Sequence, residues 1–282
     1  MQKRALAIHD ISCVGRCSLT VALPILSAAG INTSVVPTAL LSTHTGEFTG
    51  YTHLDLTAEL LPITKHIASL GLHFDAFYSG YLASPTQVDH VLMMLNKLCD
   101  STTHIFVDPA FADHGQLYSL MDAGMPAKMR ELCAKAQTIV PNITEAAFLL
   151  GEPYHLNGYD ENYVLVLAQK LAQLGPECIV ITDVSFDDAQ TGIAVYHKAD
   201  NSFQLLFRPK FAGVFYGTGD TFASFLLSAL LGGKQLMEAA ALALDCTHES
   251  IRLTLADGEP LRYGVQFERV LPKLISALQI NH

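Results

Sequence analysis

The chain has 282 residues, half of them hydrophobic, so it can bury a sizeable core, and one large α/β layer fold can hold it. Its formal net charge of −10 argues against nucleic acid or an anionic membrane as the main partner. A nucleotide ligand stays open, because a phosphate site needs only local backbone donors and one or two cations.

Six cysteines, Cys13, Cys17, Cys99, Cys133, Cys178 and Cys246, form no C-x-x-C pair, and most lie in apolar contexts. They read as buried thiols in a reducing cytoplasm, not as a disulfide framework or a zinc site. The opening apolar run stops at His9 and Asp10, too short for a signal segment or a membrane span. No later stretch reaches spanning length without polar interruption. A cytoplasmic protein without a membrane partner is expected.

In chain order, Arg4 to His9 reads as a buried strand, and Gly15 turns the chain into a helix over Leu19 to Ala29. Thr33 to Thr38 reads as a strand. Leu41 to Tyr51 is small, polar and glycine-spaced, and reads as a mobile loop beside an acceptor pocket. Leu54 to Leu70 has helical spacing, Ala76 to Ser79 is strand-like, and Pro85 to Leu98 is helical. His104 to Val107 is a strand ending at Asp108-Pro109. Ala127 to Ala136 is a helix, and Thr138 to Val140 a short strand before Pro141-Asn142. Helices over Thr144 to Leu150 and Asn162 to Leu174 precede a strand at Cys178 to Thr182. Gly192 to Tyr196 and Phe203 to Phe207 read as a hairpin. Three helices follow, at Asp220 to Leu231, Leu236 to Arg252 and Val265 to Leu278.

This alternation predicts a mostly parallel sheet with helices on both faces and ligands at the carboxyl ends of its strands. The polar residues fall there: His9 and Asp10, then Ser79 to Tyr81, Asp108, Asn142, and Thr182 with Asp183. No internal repeat or low-complexity linker is visible, so residues 1–282 are expected to form one domain.

The most informative segment is Tyr216-Gly217-Thr218-Gly219-Asp220-Thr221-Phe222. It sets two glycines and a carboxylate at the start of an apolar helical run, where unpaired N–H groups carry partial positive charge. Glycines let a phosphate approach those N–H groups. A carboxylate there repels phosphate, but makes sense as a base for an attacking hydroxyl. The combination points to phosphoryl transfer to an alcohol. An ordinary helix cap at Thr218 or Asp220 is the alternative. Arg208-Pro209-Lys210-Phe211, just upstream, reads as a basic loop able to cover a polyphosphate.

Taken together in this order, the motifs resemble the ribokinase-like superfamily and, within it, the pyridoxal/pyridoxamine kinases. The likeness spans nearly the whole chain. Its carriers are Ala7-Ile8-His9-Asp10-Ile11-Ser12-Cys13-Val14-Gly15, Ser42-Thr43-His44-Thr45-Gly46, Ser79-Gly80-Tyr81-Leu82, Asp108-Pro109, Pro141-Asn142-Ile143-Thr144-Glu145 and Gly217-Thr218-Gly219-Asp220. The Gly-Gly-rich sugar-binding segment of the sugar kinases is missing.

The resemblance implies a ribokinase-like three-layer fold and ATP-dependent, Mg²⁺-assisted phosphorylation of the 5′-hydroxymethyl group of a B6 vitamer, by a homodimer. It implies that Asp220 is the base and that Gly217, Thr218 and Gly219 offer N–H groups to the transferring phosphate. Asp108 and Glu145 would act near Mg²⁺, through water. Asn142 would hold phosphates, and Thr182 with Arg208, Pro209, Lys210 and Phe211 would lie along ATP. Thr45, Gly46, Tyr81 and Asp10 would line the acceptor pocket. Each residue also has a plain structural alternative. Asn142 and Glu145 have the spacing of a capping box. Asp108 suits a turn, Tyr81 a core, and Asp10 a cap of the Gly15 turn or a partner for Arg16. His44 is given no catalytic role, and His248 and Glu249 are expected to be structural. Two residues depart from the family: Asp10 where many members carry serine, and Thr182 where several carry lysine. The rival expectations are a kinase of hydroxymethylpyrimidine or another small heterocyclic alcohol, and a non-catalytic nucleotide- or pyridoxal-phosphate-binding protein.

Overall fold

The protein is described by a computed structural model that covers residues 2–280. Its elements, in chain order, are β1 (Arg4–Val14), α1 (Leu19–Ala28), β2 (Asn32–Thr43), β3 (His53–Asp55), α2 (Thr57–Ser69), β4 (Ala76–Ser79), α3 (Pro85–Leu98), β5 (His104–Val107), β6 (Ala112–Asp113) and β7 (Gln116–Leu117). There follow α4 (Met125–Cys133), β8 (Thr138–Ile139), α5 (Ile143–Leu150), α6 (Glu161–Leu174), β9 (Cys178–Val184), β10 (Gln190–His197), β11 (Ser202–Pro209), α7 (Thr218–Leu231), α8 (Leu236–Asp257) and α9 (Leu271–Ala277).

Nine strands form one sheet in the order β11-β10-β9-β8-β5-β4-β1-β2-β3. The run from β9 to β2 is parallel, and both ends are closed by antiparallel strands. Parallel strands are covered on both faces and so are apolar throughout, as the fully buried run Ala5 to Ile8 shows. Two cores lie on the two sides. Helices α2 to α6 supply one, with Leu60, Val88, Met129, Leu149 and Leu171. Helices α1, α7, α8 and α9 supply the other, with Ile25, Phe225, Ala243 and Leu274.

Helix ends follow local chemistry. Ser84 caps α3 by accepting from the N–H of Gln87 at 3.3 Å, with Pro85 in the first turn. Gly151 ends α5 in the left-handed conformation.

Several expected boundaries are corrected. His9 and Asp10 do not end β1; they lie within it, at an irregularity where β1 advances from His9 to Ile11 while β2 advances from Pro37 to Leu40. β2 takes Leu41 to Thr43 from the expected loop, and His53–Asp55 pairs back on it, so α2 begins at Thr57. The hairpin of β6 and β7 was not expected. The last expected helix is shorter. Two 3₁₀ turns, Leu261–Tyr263 and Glu268–Val270, precede α9, whose first turn holds Pro272. Three cysteines are buried, Cys99 and Cys178 are half-buried, and Cys13 is exposed, against the expectation of buried thiols. Among the described residues no helix is long and apolar enough to cross a membrane.

Candidate active site

β4 stops at Ser79, opposite Ile8, while β1 continues to Val14. Beyond Ile8, β1 has lost the neighbour on that side, and Asp10 faces a cavity although it is only 5% exposed. His9, the residue before, is fully buried, edge-on to Tyr78 at 4.3 Å, with no hydrogen-bond partner for either ring nitrogen. Burial lowers its pKa to about 3, so the ring is neutral. Gly80 is required beside it, because a Cβ would strike the imidazole.

The cavity measures about 1070 Å³, enough for two small ligands end to end. It lies at the carboxyl ends of the parallel strands. All the expected site residues line it: Asp10, Thr45, Gly46, Tyr81, Asp108, Asn142, Glu145, Thr182, Arg208 to Phe211, and Gly217 to Asp220. His9 and Ser79, grouped with them by sequence, are buried outside its lining.

Gly217, in the left-handed region at φ 70°, is the N-cap of α7, which has no side-chain cap. Asp220 is therefore no ordinary cap. Its Oδ2 accepts from the main-chain N–H of Ser18 at 2.9 Å. Burial raises its carboxyl to about 7, against the Ser18 hydrogen bond that lowers it, and Asp10 adds to the rise. A carboxylate with that proton affinity is matched to accept a proton near neutrality. The first N–H groups of α7 have no intrahelical acceptor, as at any helix start, and can receive an anion. Ser18 holds its N–H in place at φ 52° and ψ −129°, a strained conformation for a residue with a Cβ, which costs on the order of 1–3 kcal/mol.

Two further carboxylates are buried nearby. Glu145 forms the capping box with Asn142: Oε2 accepts from Asn142 N–H at 2.8 Å, and Asn142 Oδ1 accepts from Glu145 N–H at 2.9 Å. Oε1 accepts from Phe111 N–H at 3.0 Å. Burial, then Asp108, holds the Glu145 carboxyl well above its ordinary range. Burial, then Asp220, does the same to Asp108. Among the described residues none of Asp10, Asp108, Glu145 or Asp220 forms an ion pair with a basic side chain. Such crowding of uncompensated carboxylates fits a hard divalent cation. Asp108 would be nearest to direct ligation, since the oxygens of Glu145 already accept backbone N–H groups. Asp113, His114 and Asp183 also come together, with ligand atoms within 4.8 Å of one another.

The Arg208 to Phe211 segment departs from the expected basic loop. Arg208 and Pro209 are the last residues of β11, and the Arg208 Nε donates to Asp245 Oδ1 at 2.7 Å. That guanidinium is already paired. Lys210 lines the cavity and, among the described residues, forms no ion pair. Phe211 stacks on His248 at 4.6 Å between ring centres, and His248 Nε2 donates to Pro209 O at 3.1 Å. Thr182 bridges Asn142, and the Asn142 side-chain amide donates to Ala112 O at 2.8 Å.

In the region of Thr45 and Gly46, His44 stacks on Tyr216 at 4.7 Å and donates from Nε2 to Arg262 O at 2.6 Å, while its Nδ1 accepts from Gly46 N–H at 3.1 Å. Gly46 packs on the Tyr216 ring so closely that a Cβ would collide with it. Tyr81 lines the cavity and is not core; burial, then Asp10, raises its phenol to about 12. Asp10 is raised to about 6, first by burial. Arg16 does not pair with it, since its guanidinium meets Glu268 at 2.7 Å and Glu259 at 3.0 Å. Sequence reasoning missed Ser18, and it named Tyr216 and His44 within motifs without giving either a role of its own; all three line the cavity. The Ser18 contact is made by the main chain, so no side-chain motif marks it.

Comparison with known proteins gives concordant matches. The family model described as phosphomethylpyrimidine kinase matches residues 23–263. A Bacteroides thetaiotaomicron crystal structure with pyridoxal, described as a candidate phosphomethylpyrimidine kinase, is 36% identical at a TM-score of 0.93, covering 97% of this chain and 96% of that one. Pyridoxal kinase from Lactobacillus plantarum is 31% identical at a TM-score of 0.90, with both chains covered in full at 100%. Pyridoxal kinase of Dictyostelium discoideum is 30% identical over 179 residues, 60% of this chain and 56% of the Dictyostelium protein. The architecture is the ribokinase-like α/β fold expected from the motifs.

Proposed function

Because the chain belongs to the phosphomethylpyrimidine kinase family, and is a kinase, we propose that it transfers the γ-phosphoryl group of ATP to the 5′-hydroxymethyl group of a B6 vitamer. The whole chain acts as one kinase domain. The observation that carries this is Asp220: a carboxyl raised to about 7, at the glycine-rich start of α7, in one cavity with Asp10 and Tyr81. The pyridoxal in the Bacteroides relative and the pyridoxal kinase of Lactobacillus supply the substrate class.

The hydroxyl oxygen attacks the γ-phosphorus and its proton passes to Asp220. The bond from the γ-phosphorus to the bridging oxygen breaks, and ADP leaves. The N–H groups of Gly217, Thr218 and Gly219 receive the charge that develops on the phosphoryl oxygens. Asp108 and, through water, Glu145 would hold Mg²⁺, which would neutralise phosphate charge. Asn142, Thr182 and Lys210 lie along the nucleotide, and Thr45, Gly46 and Tyr81 enclose the ring. Asp10 faces the ring as an acceptor only. A cation on the vitamer would relieve its burial, whether a protonated ring nitrogen or the ammonium of pyridoxamine.

A coupled assay with ATP and pyridoxal, pyridoxamine, pyridoxine or hydroxymethylpyrimidine tests the assignment. Turnover of one or more B6 vitamers above hydroxymethylpyrimidine is expected. The reverse order would favour the second substrate class, a small heterocyclic alcohol such as hydroxymethylpyrimidine. No turnover of any would leave a binding protein.

A further inference from the structure

We propose that Arg16 is a positioning residue for the phosphoryl transfer: clasped by Glu259 and Glu268, it fixes the Arg16-Cys17-Ser18 segment so that the Ser18 N–H stays on the Asp220 carboxylate. The proposal stands only if Asp220 is the base.

The Ser18 N–H is the one hydrogen-bond donor that the structure gives to Asp220 among the described residues. The backbone of Ser18 has φ 52° with ψ −129°, a positive-φ conformation that is sterically unfavourable for a residue with a Cβ. The first turn of α1 holds the Ser18 carbonyl through the N–H groups of Val21 and Ala22, and the segment 259–268 grips Arg16, two residues before, from three directions. Arg16 N–H donates to Tyr263 O at 2.8 Å. The Arg16 carbonyl lies against both Gly217 and Gly264, where a Cβ on either glycine would collide with it. The guanidinium donates to Glu268 Oε1 at 2.7 Å and to Glu259 Oε2 at 3.0 Å. The same carbonyl therefore touches the first residue of the anion-binding turn, while two residues later the same segment touches the base. Any drift of Arg16 moves both sides of the reaction centre together.

The ion pairs themselves are surface features: Glu259 is 42% and Glu268 49% exposed at the side chain. Exposed pairs contribute little stability. Their loss is thus expected in turnover and not in melting. No ligand contact is involved, so the Michaelis constants should stay where they are. A misplacement of about 1 Å can lower a rate by about 10²-fold.

The test is Arg16→Ala in the full chain, read as kcat, KM for both substrates and melting temperature. The expected result is a fall in kcat of about 10-fold to 100-fold with both KM values and the melting temperature retained. Arg16→Lys should recover part of it, because lysine keeps the charge but not the two-pronged fork. The double variant Glu259→Gln with Glu268→Gln leaves Arg16 packed and should reproduce the fall, which keeps the test open if Arg16→Ala folds poorly. Unchanged kcat in the double variant, or loss that only tracks the folded fraction, overturns the proposal. Asp220→Asn run in parallel separates the cases. If it is active, the base assignment has failed; if it is silent while the double variant is normal, only the clasp has failed.

Discussion

The main-chain N–H of Ser18 donates to Oδ2 of Asp220 at 2.9 Å, joining residues 202 positions apart in the chain. That bond favours the ionised carboxylate, while burial favours the protonated one, and the outcome is a group balanced at about 7. Asp220→Asn is expected to lower kcat about 10²–10⁴-fold with ATP affinity little changed. The rate of the parent should rise with pH through about 7, as the base becomes ionised. The stability sign is opposite. A carboxyl that binds its proton more tightly when folded favours the folded state at low pH, and that contribution is lost as pH rises through about 7. Asp220→Asn should thus melt above the parent at about pH 8 and close to it in acid. A variant with near-parental turnover would remove Asp220 as base.

Glu145 has two duties on one side chain. Its oxygens accept from Asn142, Phe111 and Ala112 N–H groups, and it lines the cavity next to Asp108. Glu145→Gln places an amide against backbone donors and should lose about 1–2 kcal/mol of stability. It should also raise the Mg²⁺ concentration needed for half the maximal rate. A Mg²⁺ titration beside a thermal melt reads both; a normal titration with a lowered melt would leave Glu145 as a cap only.

Asp10 is expected to read charge on the acceptor. Its carboxyl is raised to about 6, so it is ionised above that pH and can pair with a cation. Asp10→Ser should lower the ratio of kcat/KM for pyridoxamine to that for pyridoxal. In the parent the same ratio should fall as pH drops through about 6. An unchanged ratio would mean that Asp10 does not sense the substrate's charge.

Lys210 and Arg208 should separate cleanly. Lys210→Ala is expected to raise KM for ATP, because it removes a cation that lines the cavity without an ion-pair partner among the described residues. Arg208→Ala breaks the contact with Asp245 and should act on the β11–α8 packing more than on ATP. Equal effects on KM for ATP from both substitutions would refute this division.

The parts legible in sequence were those with a local physical cause. β4 and β5 matched because short apolar runs were bounded by turn residues, and α3 matched because Ser84-Pro85 starts it. The N-x-x-E spacing at Asn142 gave the capping box, which the structure contains. Strands of two or three residues, β3, β6 and β7, are too short to show a period. α8 ran past Arg252 because nothing interrupts it before Gly258. The site residues were found as motifs, but their partners were not. Arg208 meets Asp245, Arg16 meets Glu268, and Gly46 meets Tyr216 only through the fold. The Ser18 N–H has no side-chain signature at all.

The contact between the segment 259–268 and Arg16 also sets an order of events during synthesis. β1, carrying Asp10, leaves the ribosome before the other strands, and those up to β9 can join the sheet as they emerge, β2 and β4 directly on β1. Its loop at Arg16 stays ungripped until Glu259, Tyr263, Gly264 and Glu268 arrive. A nascent chain halted before those residues would carry all nine strands of the sheet yet lack the proposed latch, so full competence for phosphoryl transfer should come only once residue 268 has been made.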